Sequence, residues 1–138
     1  MLGVPSSPPS LLLTSGLTEL AAGALSGWVY TFARTQPEKA RALGLANVGR
    51  VRQWHLDLAM LGTATVACAT ALPDAPRPVA AALGVGAWTN AMAFLPLAFK
   101  PELDQTTAFR TAAALSFAAT SVGFTGMAAT AIARRRRR

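Results

Sequence analysis

Charge is scarce in this 138-residue chain, at 14%, and acid is scarcer still, with six Asp and Glu against thirteen Lys and Arg. There is one histidine, one cysteine and one tyrosine. A single cysteine excludes an internal disulfide and any CxxC redox or zinc pair, so Cys68 reads as a small packing residue. A single histidine excludes a metal site with two histidine ligands. With 52% hydrophobic residues, too few polar groups remain to wrap a water-soluble domain of this length. The chain has no Gly-rich phosphate loop, no Ser-His-Asp set in polar surroundings and no carboxylate pair with histidines. Any chemistry here must therefore be carried by a cofactor.

What is present is long apolar runs. Four stretches, Ser10 to Ala33, Arg52 to Leu72, Pro78 to Phe99 and Thr107 to Ala133, each reach the roughly 20 residues that a helix needs to cross a hydrocarbon core. Three of them hold at most one ionisable group, and the third holds none. Pro73, Asp74, Pro76 and Pro78 punctuate one link, and Lys100, Pro101, Glu102 and Asp104 another. The expectation is an all-α integral membrane protein: a single domain over residues 1–138, four transmembrane helices in an up-and-down bundle. Gly84, Gly86, Gly123 and Gly126 read as helix-packing surface. The N-terminal run reads as a retained helix, since no Lys or Arg precedes it and Glu19 interrupts it.

The formal charge of +7 sits at helix ends, in Arg34, Lys39, Arg41, Arg50 and Arg52 of the first loop and in Arg134 to Arg138 at the C-terminus. Basic flanks attract anionic lipid headgroups, which makes the bilayer the economical partner and nucleic acid an unneeded one. Seven Lys and Arg fall on the side of the first and third loops and six on the side of the termini, so charge does not orient the chain.

Polar groups inside the runs are few, and each must be paired, reach the interface or serve a function. His55, after Trp54, is either an interfacial anchor or a neutral imidazole ligand to iron. Asp57, two residues on, cannot share its face. Asn90, among Trp88, Met92 and Phe94, is either glue between helices or a ligand contact. Glu19 either pairs with Arg110 or donates as a neutral acid.

The segment Arg50-Val-Arg-Gln-Trp-His55-Leu-Asp-Leu-Ala-Met60-Leu-Gly62, running on to Leu72-Pro73, resembles the second helix of a family of small four-helix membrane isomerases. Gly86-Ala-Trp-Thr-Asn90-Ala-Met-Ala-Phe94 is similar to that family's third helix. Its named activities are hydroxylaminobenzene mutase and styrene oxide isomerase. The resemblance implies a homotrimer with haem b held between protomers, His55 as the axial iron ligand, and ferric iron acting as a Lewis acid on an epoxide or hydroxylamine-type substrate. It also implies that Asn90 orients substrate or a haem edge and that Arg50 or Arg52 pairs with a propionate. The family's helix-two asparagine and third-helix tyrosine fall here at Leu61 and Phe94, so two groups that would orient a polar substrate atom become apolar. The location expected is a bacterial inner (cytoplasmic) membrane.

A haem-dependent isomerase of a small apolar substrate, assembled as a homo-oligomer, is thus one expectation. A non-catalytic assembly or accessory subunit is the other, with His55 interfacial and Asn90 as glue. A transporter using Glu19 and Arg110 ranks behind both, because the chain lacks inverted repeats and broken helices.

Overall fold

The computed structural model describes residues 10–137, which leaves the last C-terminal arginine, Arg138, outside. The described residues form helices and links with no strand. In chain order the elements are α1 (Leu11–Thr35), α2 (Pro37–Ala42), α3 (Val48–Ala71), α4 (Arg77–Met92), α5 (Phe94–Phe99), a 3-10 turn (Pro101–Gln105) and α6 (Thr107–Arg136).

Local chemistry sets the boundaries. Ser10 caps α1 by accepting from the Leu13 N–H, Asn47 caps α3 through Arg50 N–H, and Thr106 caps α6 through Phe109 N–H. Proline at the first position opens α2. That helix closes with Gly44 at φ 89°, where Gly44 N–H reaches Arg41 O and Leu45 N–H reaches Ala40 O. This paired closure needs a left-handed residue, which glycine supplies without strain. The expected third run is broken at Ala93 into α4 and α5. Pro96 has no N–H for the Met92 carbonyl one turn earlier, so the ladder is interrupted there.

Successive long helices run antiparallel, and they pack at glycine. Along α1 and α3, Gly16 lies against Val66, Gly62 against Glu19 and Leu20, Gly23 against Ala59, and Gly27 against His55. A Cβ at Gly62 would stand 2.6 Å from the Leu20 nitrogen, so the backbones themselves are in contact. The α4–α6 pair repeats the device: a Cβ at Gly123 would lie 2.5 Å from Leu83 Cα, and one at Gly86 would collide with the Thr120 backbone. The two pairs join through α3, which packs on α4 and α5. Leu12, Ala69, Leu83 and Met127 gather all four long helices at one end. Ala33, Ala40, Leu45, Val51 and Ala98 fill the other end without α6.

Two expectations are refined. The helices alternate in direction, but α1 and α6 do not pack along one another, so the square of a closed bundle is absent and α6 leans on α4. Two helical stretches, Arg77–Phe99 and Thr107–Arg136, are long and apolar enough to cross a membrane. α1 and α3 match them in length, at 25 and 24 residues. Their polar groups fall within the runs: α3 opens with Arg50, Arg52, Gln53, His55 and Asp57, and α1 carries Glu19 in its middle and Arg34 near its end, among threonines and serines. A four-span bundle is therefore not established by length and apolarity alone.

Candidate functional site

His55 lies at the end of the second turn of α3 and faces α1, half-buried. Its Nδ1 is 2.8 Å from the Gly23 carbonyl oxygen and 3.1 Å from Ser26 Oγ. A carbonyl oxygen only accepts, so the short contact places a proton on Nδ1. The Ser26 hydroxyl donates to the same carbonyl at 2.7 Å. Tyr30 stacks on the imidazole, with centroids 6.2 Å apart and planes 13° from parallel. Gly27 lies beneath it, where a Cβ would meet His55 Cε1 at 3.1 Å. The ring is thereby fixed in position and in tautomer. Nε2 keeps its lone pair and makes no hydrogen bond among the described residues.

This is the arrangement that a ligating histidine needs, with one ring nitrogen anchored as a donor and the other left basic. Among the described residues no three His, Cys, Asp or Glu side chains gather into a metal cluster. A metal at His55 would therefore arrive with its other ligands, as iron does in a porphyrin.

The two candidate arginines separate. The Arg50 guanidinium is 3.6 Å from Asp104, 3.1 Å from Gln53 Oε1 and 5.8 Å above the Phe94 ring, which ties α3 to the turn before α6. One of its N–H groups is hydrogen-bonded, to Gln53, and its charge lies beside Asp104. Arg52 is exposed and lies three residues from His55, on the same side of the helix. Phe94 thus belongs with Arg50, and Leu61 is half-buried one and a half turns beyond His55.

Asn90 is elsewhere. It lines a crevice of about 260 Å³ with Phe117, Thr120 and Phe124, between α4 and α6. His55 faces α1, so one chain does not bring the two into a common cavity. Trp54 turns from its neighbour toward α4, with Nε1 donating to Met92 Sδ at 3.3 Å. With Trp28, Phe32, Val51 and Phe99 it lines an apolar cavity of about 610 Å³. Arg110 is not the partner of Glu19: its Nε donates to Asp104 O and its terminal nitrogen to Gln105 Oε1. Glu19 is wholly buried, and neither carboxyl oxygen has a hydrogen-bond partner.

Sequence reasoning missed the clamp on His55, which consists of a backbone carbonyl, Ser26, Gly27 and Tyr30. The spacing Gly23, Ser26, Gly27, Tyr30 places all four on one face of α1 and was the available signal. No protein-family model, curated protein or solved structure matches the chain.

Proposed function

We propose that the protein is a haem-dependent membrane isomerase that rearranges a small epoxide or hydroxylamine-type substrate, with His55 as the iron ligand. The observation that carries this reading is the Gly23 carbonyl on His55 Nδ1, which fixes the tautomer with Nε2 free. The motif resemblance around His55 and Asn90 supplies the reaction class. Bound there, ferric haem supplies a Lewis acid for the substrate oxygen.

The chain's own residues do the rest. Ser26 and Gly23 hold the imidazole by hydrogen bonds, and Tyr30 and Gly27 set its plane. Arg52 is the cation available for a propionate, because Arg50 is committed to Asp104. Leu56 and Met60 continue the Arg52 face of α3 as exposed apolar side chains. Asn90 meets the His55 face only from a neighbouring copy, in the homotrimer that the resemblance implies. In this reading all four long helices cross a bacterial cytoplasmic membrane. The polar half of α3 then faces α1 and the copy-to-copy interface.

The test is to purify wild type and His55→Ala from haem-replete cells. The measurements are Soret absorbance per protomer and conversion of styrene oxide to phenylacetaldehyde or of hydroxylaminobenzene to 2-aminophenol. Wild type carries haem and converts one of these substrates; His55→Ala does neither. Wild type without haem, or His55→Ala with as much haem as wild type, transfers the protein to the accessory-subunit reading. Topology is tested with single cysteines in a Cys68→Ala background. Those at Glu38 and Glu102 label from one side of the membrane, and those at Asp74 and Arg136 from the other. Glu38 and Asp74 labelling from one side would mean that α3 does not cross.

A further inference from the structure

Glu19 sits in the middle of the α1–α3 interface with no solvent exposure, its backbone pressed against Gly62. Neither of its carboxyl oxygens receives a hydrogen bond, and one turn along the facing helix the Thr65 hydroxyl is equally buried and equally unpaired. Three side-chain oxygens thus share one helix–helix seam without protein partners. The elements packed on α1 bring no cation to them. On α3, Arg50 and Arg52 lie ten or more residues before Gly62, the residue that faces Glu19, His55 is held by Gly23, and Asp57 and Cys68 bring no positive charge; α4 has only Arg77, at its first residue; and α2, with Glu38, Lys39 and Arg41, packs at the far end of α1. The one ion pair among the described residues is Arg50 with Asp104.

An ionised carboxylate without a partner in such a seam is strongly disfavoured by desolvation, and a protonated one much less so. A metal cation fits poorly. Hard cations take about six or more oxygens, and the neighbouring carbonyls are engaged in their own helical ladders. We propose that Glu19 is a buried proton-binding site, a neutral carboxylic acid with an exchangeable proton, and that a small rotation of its side chain brings the acid onto the Thr65 hydroxyl, to which it is not bonded in this structure. The site is independent of haem, so its test reads out whether or not His55 holds iron.

Infrared spectra of wild type and Glu19→Gln in lipid at neutral pH decide the point. Wild type shows an acid carbonyl band that shifts in heavy water and is absent from Glu19→Gln, and added sodium ions leave it unchanged. Thr65→Val moves the band to higher frequency by removing the hydroxyl that bonds to the acid. Equal spectra for wild type and Glu19→Gln overturn the proposal, and a band that disappears on adding sodium ions replaces the proton site with a cation site. Should Glu19→Gln fail to fold, an apolar carbodiimide on wild-type protein serves instead. Mass spectrometry then finds the adduct on the Glu19 peptide at neutral pH, and its absence overturns the proposal.

Discussion

The two antiparallel helix pairs, α1 with α3 and α4 with α6, are packed by the same device and differ in what they enclose. Both bring backbones into contact at glycine, at Gly16, Gly23 and Gly62 in one and Gly86 and Gly123 in the other. Between α4 and α6 the buried hydroxyls are bonded: Ser116 with Thr89 at 2.7 Å, and Thr120 with the Ser116 carbonyl at 2.9 Å. Between α1 and α3 lie the fixed imidazole of His55, the unpaired Glu19 and the unpaired Thr65. One seam holds as much polarity as adhesion needs. The other holds more, and a group that adhesion does not explain is a candidate for function.

The largest effects should come from the device itself. Valine at Gly123 would drive its branches into the Leu83 backbone, which cannot move aside as a side chain would. Gly123→Val should cost about 3 kcal/mol or more by thermal unfolding in detergent. Gly62→Val should cost a similar amount, against Leu20. The comparison sharpens in the haem content of whatever protein remains folded. The α4–α6 change should leave Soret absorbance per folded protomer unaltered and the α1–α3 change should abolish it. Equal loss in both would mean that the seams are not functionally distinct.

A change confined to the clamp should have a smaller effect on stability and a selective one on the site. The three atoms nearest to a Cβ at Gly27 all belong to the imidazole of His55, so Gly27→Val should swing the ring away from the Gly23 carbonyl instead of separating the helices. Removing the group that orients a metal-ligating histidine typically costs ten- to a hundredfold in metal affinity. Haem titration of Gly27→Val should show a weakening of about that size. Ser26→Ala should fall near tenfold, since Gly23 still accepts from Nδ1. Unchanged affinity in both would show that the clamp only packs.

Much of the frame was legible in the sequence, because apolar runs and prolines report helices and hairpins directly. The runs from Ser10, Pro78 and Thr107 match α1, α4 with α5, and α6 to within a few residues. The second run begins at Val48, four residues before Arg52, because Asn47 supplies a cap that hydropathy does not register. α2 lay hidden in the charged first loop, since six residues are too few for a periodic signal. Phase between helices was the larger gap. His55 and Asn90 were both visible as polar residues in apolar runs, but nothing in a linear pattern says that one faces α1 and the other α6. The Gly23 carbonyl was invisible for a simpler reason, because every residue has one. Glu19 and Arg110 looked like a possible pair until the turn at Asp104 and Gln105 took up the arginine.

The smallest expected effect separates the two seams most finely. Thr65→Val and Thr89→Val are the same isosteric exchange, hydroxyl for methyl, each made on a helix that packs against another. At Thr89 the hydroxyl bonds across to Ser116, and such bonds between membrane helices average about 0.6 kcal/mol. Its loss should therefore destabilise by roughly that amount. At Thr65 the hydroxyl is wholly buried and finds no partner elsewhere in the fold, so its only bond is the one proposed with Glu19. An unsatisfied buried hydroxyl carries a desolvation cost that valine lacks. Thr65→Val should therefore leave the unfolding temperature unchanged or raise it slightly if Glu19 leaves the hydroxyl unpaired. It should lower it by about as much as Thr89→Val if the two are bonded. Unfolding of both variants beside wild type, in one detergent and at one pH, reads the strength of the Glu19–Thr65 contact directly, and the infrared shift of the acid carbonyl should move in step with it.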